Sequence, residues 1–96
     1  MRRVLFLGAH CDDIELGCGA TITKHRDRDW EIHAVVFSHV NPNIVSHVEE
    51  TRKNLLSCAV MFENFKTRRF ADDRDQIWRA CRRYGDAIKP EIVFVT

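Results

Sequence analysis

The chain has 96 residues, room for one domain. Fifteen Lys and Arg against fourteen Asp and Glu leave a formal charge of +1, so no strong field draws it to nucleic acid or to an acidic surface. Hydrophobic residues at 45% and charged residues at 30% give a globular rather than a disordered composition, and no apolar run approaches the ~20 residues of a membrane span.

Met1-Arg2-Arg3 ahead of Val4-Leu5-Phe6-Leu7 has the charge of a signal n-region, but the apolar stretch breaks at Gly8-Ala9-His10 and is too short for an h-region. The run reads instead as a buried parallel strand closed by Gly8. From Asp12 to about Arg28 the pattern is mixed, with Ile14, Leu16, Ile22 and the pair Gly17 and Gly19; it predicts a loop followed by a short helix. Ile32 to Phe37 is the second strand, and Asn41-Pro42-Asn43 is turn chemistry whose asparagines can cap the next helix. Between Val45 and Met61 the residues Val48, Leu55, Leu56 and Ala59 share one helical face, with Glu49 and Lys53 an i,i+4 pair on the other. Phe65 to Phe70 is expected to be a polar third strand at an edge. Asp72 to Lys89 predicts a helix with Ile77, Cys81, Tyr84 and Ile88 in line and Pro90 closing it, and Ile92 to Val95 is the fourth strand.

The alternation βαβαβαβ predicts an α/β unit, a parallel sheet with helices on its faces. In such sheets ligands gather beyond the carboxyl ends of the strands. Cys11, Cys18, Cys58 and Cys81 form no CxxC pair, and without a signal peptide they read as reduced thiols of a cytoplasmic protein. Cys58 and Cys81 each fall on a predicted helix as small core residues.

Chemistry concentrates in Gly8-Ala9-His10-Cys11-Asp12-Asp13-Ile14-Glu15-Leu16-Gly17-Cys18-Gly19-Ala20, beyond the first strand. His10 and Asp13, three residues apart, can converge on one ion, and imidazole with carboxylate oxygen suits Zn²⁺ or a similar divalent metal. An acidic pair buried without a cation is costly. The same residues also read as plain helix caps, Asp12 and Asp13, beside a loop histidine, and residue types alone do not separate the two. A dinucleotide site is disfavoured: Gly8, Gly17 and Gly19 do not spell GxGxxG, and carboxylates stand where a pyrophosphate would lie.

The stretch from Val4 to Ile22 resembles the opening of the LmbE-like, or PIG-L-like, zinc-dependent N-deacetylases: a strand, an AHPDD motif, an acidic and apolar tract, then a GxGG turn into a helix. The resemblance continues more weakly. Glu49-Glu50 lie near the family's R-x-x-E, Phe70-Ala71-Asp72-Asp73-Arg74 is similar to F-x-D-x-R, and Lys89-Pro90-Glu91-Ile92-Val93-Phe94-Val95-Thr96 is similar to its P-D-(I/V)-V strand. It implies a Rossmann-like three-layer fold with a mainly parallel sheet, residues 1–96 forming the amino-terminal portion of one such domain.

The resemblance further implies His10 and Asp13 as zinc ligands and Asp12 as general base, removing an N-acetyl group from an amino-sugar conjugate by attack of a zinc-bound water. Cys11 stands in place of the family's proline, Ala20 in place of the last glycine, and His47 in place of the arginine. The family's third ligand, a histidine after the fourth strand, has no counterpart before Thr96, so the chain is expected to be truncated relative to the family. His39, ending the second strand, sits on the functional edge; His25 and His33 are expected at the periphery. The alternative is a non-catalytic metal- or ligand-binding module completed by a homo-oligomer partner.

Overall fold

The computed structural model describes residues 1–11, 13–38, 44–55 and 57–96, with the backbone alone at 44–48 and 67. The elements in chain order are β1 (Arg2–His10), α1 (Asp13–His25), β2 (Trp30–Ser38), α2 (Ile44–Asn54), β3 (Ala59–Phe62), a 3-10 turn (Thr67–Arg69), α3 (Arg74–Ile88) and β4 (Ile92–Val95). All strand pairings are parallel and the sheet order is β3-β2-β1-β4. The chain therefore steps outward from β1 through β2 to β3, then crosses back to add β4 on β1's other side. This is an α/β sheet of Rossmann-like order.

β1 is apolar on both faces because it is covered on both faces. Val4 and Phe6 point to one side and join Ile14 and Ile22 of α1, Ile32, Ala34 and Val36 of β2, and Leu55 just beyond α2. Leu5 points the other way, with Val35, Phe37 and Ala80 of α3. Helices on both sides make the expected three layers. Phe6 and Phe94 stack across the β1–β4 pair at 4.8 Å, where their Cα positions are in register.

The third strand differs from expectation. It is Ala59–Phe62, in register with His33 to Val36 of β2, and not Phe65–Phe70. Phe65 and Phe70 instead turn inward from an irregular segment onto the α3 face of the core. The strand stands at the sheet edge, as expected, but is built from other residues. The helix expected to reach Met61 stops at Asn54, and Cys58 lies in the following turn rather than on a helix. Gly17 and Gly19 are also not a turn: α1 starts directly at Asp13 and both glycines are inside it. No described glycine has positive φ. The Asn41-Pro42-Asn43 turn, the face positions Val48 and Leu56, and the side chain of His47 lie outside the described residues.

α3 ends at Lys89, whose left-handed backbone (φ 51°, ψ 59°) lets its N–H donate to Gly85 O at 2.8 Å before Pro90 stops the helix. None of the four cysteines forms a disulfide. Burial pushes the Cys18, Cys58 and Cys81 thiols up, so they remain protonated packing groups. Among the described residues, no helix is long and apolar enough to cross a membrane.

Candidate functional site

His10 is the last residue of β1, paired with Ser38 at the end of β2. Because β2 and β4 flank β1 on opposite sides, this carboxyl end is the point at which strand order reverses, where a crevice opens in such sheets. α1 begins three residues later, and the two elements are tied at once: Asp13 Oδ2 accepts the His10 backbone N–H at 3.0 Å. Asp13 and Glu15 place carboxylates in the first turn of α1, where the helix dipole favours them.

The same Asp13 Oδ2 lies 3.5 Å from His10 Nδ1, too long for a good hydrogen bond. It is close to the ~3.3 Å that separates two ligands of one tetrahedral zinc with bonds of about 2.0–2.1 Å. The other ring nitrogen, Nε2, is covered and has no hydrogen-bond partner among the described residues. The imidazole as a whole is 45% exposed, so solvent meets the ring elsewhere than at Nε2. The separated donors, His10 Nδ1 and Asp13 Oδ2, fit a divalent metal as two of its ligands; Nε2 points away from Asp13 and is no part of that pair. Among the described residues no group of three or more His, Cys, Asp or Glu side chains is arranged to hold one. Asp12 and His39, the base and the further histidine singled out above, lie outside the described residues.

Two surrounding contacts stabilise this corner. Glu15 Oε2 accepts a hydrogen bond from Thr51 Oγ, 3.1 Å away, which links the start of α1 to the fully buried Thr51 of α2. The Phe70 ring lies over the His10 imidazole at 5.8 Å between centroids and 12° between planes. Sequence reasoning did not bring Phe70 here; its only signal was its place at the head of Phe70-Ala71-Asp72-Asp73-Arg74. An apolar cavity of about 230 Å³ opens at the same end of the sheet, with Leu7, Phe37, Phe70, Ile77 and Val95 in its walls.

His25 and His33 are far from this corner in the topology. His25 closes α1 at the amino end of β2, stacks on Trp30 at 3.9 Å, and pairs through Nδ1 with Asp29 at 3.0 Å. The hydrogen bond from His25 holds the Asp29 carboxyl below its ordinary range. His33, within β2, pairs with Glu31 at 3.1 Å.

A family model for PIG-L, described as GlcNAc-PI de-N-acetylase, matches residues 5–96. The uncharacterized deacetylase YaiS of Escherichia coli (strain K12) is 42% identical over 55 residues, 54% of this chain and 30% of YaiS. The crystal structure of GalB, the 4-carboxy-2-hydroxymuconate hydratase from Pseudomonas putida KT2440, matches with a TM-score of 0.76 at 21% identity, covering 97% of this chain and 46% of GalB. At that identity the likeness is one of fold. The matched stretches span less than half of either relative.

Proposed function

The chain belongs to the PIG-L (GlcNAc-PI de-N-acetylase) family, and on that premise we propose that it carries the general base and two metal ligands of a zinc-dependent N-deacetylase acting on an N-acetyl amino-sugar conjugate. The observation that carries this reading is the His10–Asp13 pair, its N and O donors 3.5 Å apart at the reversal point of the sheet. The fold does not select the reaction, since GalB is a hydratase on the same fold; the family match and the deacetylase YaiS support amide hydrolysis.

His10 and Asp13 would hold the metal, with Asp13 also anchoring the His10 backbone so that ligand and strand end move together. Zinc, when bound, supplies Lewis acidity toward the acetamide carbonyl and lowers the pKa of water. Asp12 takes the proton of the attacking water as the new C–O bond forms. It then delivers a proton to the amide nitrogen as the C–N bond breaks, so that acetate and a free amine leave. Cysteines that form no CxxC pair or close-spaced framework support a cytoplasmic location, and residues 1–96 are read as a single domain portion.

In a longer chain that continues past Thr96 to the missing histidine, Asp12→Asn is expected to lower acetate release from an N-acetyl amino-sugar conjugate by about 10²–10⁴-fold, with metal content by plasma mass spectrometry unchanged. Undiminished turnover overturns the base assignment. A second reading, a metal- or ligand-binding module completed by another copy of the chain, is favoured by one observation: Val93 and Val95 of β4 are 48% and 76% exposed.

A further inference from the structure

We propose that Phe70 is a positioning residue for His10: its ring fixes the plane of the imidazole and so the direction in which the liganding ring nitrogen presents its lone pair. The proposal rests on the reading of His10 as a metal ligand. His10 stands at a strand end with its backbone held by β2 and by Asp13, but its side chain is nearly half exposed. Rotation about its side-chain bonds is opposed by two described contacts: the Asp13 carboxylate at 3.5 Å on one edge and the Phe70 ring on one face. The separation of 5.8 Å and the near-parallel planes lie within the range of offset aromatic stacking.

Phe70 can set a plane because its own position is fixed from both sides. Its ring packs into the core formed by Leu5, Val35, Phe37 and Ala80. The segment leading to it is pinned to β2, with Glu63 N–H donating to Val36 O at 2.8 Å and Phe65 N–H to Phe37 O at 3.0 Å. Glu63 is in turn held by α3: Tyr84 Oη donates to Glu63 Oε1 at 2.6 Å and Arg83 to the same oxygen at 2.7 Å. Beyond Phe70, Asp73 N–H donates to Arg69 O at 2.9 Å and the turn runs into α3. A core-anchored ring on a tied segment is the kind of support that holds a liganding group within the tolerance a site requires.

The test is NMR on the metal-free chain together with Co²⁺ titration. In the unaltered protein, nuclear Overhauser contacts between the Phe70 ring protons and the His10 ring protons are expected; their absence overturns the proposal without any variant. Phe70→Leu, which keeps an apolar anchor but no ring, is expected to move the His10 ring protons downfield and to weaken Co²⁺ binding by about 10-fold, the lower end of what loss of a supporting contact costs a metal site. Phe70→Tyr restores both. His10 resonances and Co²⁺ affinity unmoved by Phe70→Leu overturn the proposal. His10→Ala separates the underlying reading: Co²⁺ binding that survives it shows that His10 is not a ligand, and the NMR measurements then decide the hold of Phe70 on the imidazole alone.

Discussion

Gly8, two residues before His10, packs against Ile14 of α1. A Cβ at this position lies 2.7 Å from Ile14 Cγ1 and 3.1 Å from Ile14 Cδ1, and Ile14 is fully buried and cannot yield. Gly8→Ala is expected to lower stability by about 1–3 kcal/mol, the usual cost of overpacking a core, read as a drop in the urea midpoint. Gly19 is the paired control: nothing lies within 4 Å of its Cβ position, so Gly19→Ala leaves stability unchanged or raises it by up to about 1 kcal/mol. At this scale the sequence was informative where chemistry is local. His10 and Asp13 are three residues apart, so their convergence follows from short-range geometry. Phe70 is sixty positions along, and nothing in its neighbours says that it will face an imidazole.

The tie between the end of β3 and α3 belongs to the scale of elements. Burial first, and then the hydrogen bond to Glu63, push the Tyr84 hydroxyl above its ordinary range. A folded-state pKa above the unfolded value favours the neutral phenol in the fold. The stability it contributes is therefore present in full below the unfolded value near pH 10 and is lost as pH rises through the folded value. Thermal midpoints are expected to fall more steeply above pH 10 for the unaltered protein than for Tyr84→Phe, while at pH 7 Tyr84→Phe costs about 1 kcal/mol for the lost hydrogen bond. Parallel slopes above pH 10 would remove Tyr84 from the account. The displaced third strand shows what periodicity lacks. Cys58 to Phe62 is a continuous apolar run, which suits a helix face and a buried strand equally well. Only pairing with His33 to Val36 makes it a strand, and that partner is far away in sequence.

For the molecule as a whole, the alternation of strands and helices was legible because each element carries its own apolar pattern, and right-handed crossovers leave few ways to assemble them. Which strand stands at the centre was not written in any one segment; β1 becomes central only when β4 returns to its free side. The returning strand leaves its α3-side residues uncovered, Val93 and Val95 above all. An open edge with exposed valines favours association with another chain. Val95→Lys is expected to abolish a rise of light-scattering mass with concentration while moving the thermal midpoint by no more than a few degrees. Masses that agree at every concentration for both proteins would exclude β4 as a self-association surface.

The position of β1 also has a consequence for synthesis. Of the four strands it is translated ahead of the others, yet it needs partners on both sides, and the partner on one side is Ile92–Val95. At ribosomal rates of about 5–20 residues per second, roughly two to six seconds separate the emergence of β3 from that of β4. During that interval Phe6 lacks its stack on Phe94, and the backbone of Val4 to Leu7 is unpaired along one edge. The nascent chain thus offers Val4–Leu7 as a short extended apolar segment to any chaperone near the exit tunnel, and β4 withdraws it on arrival.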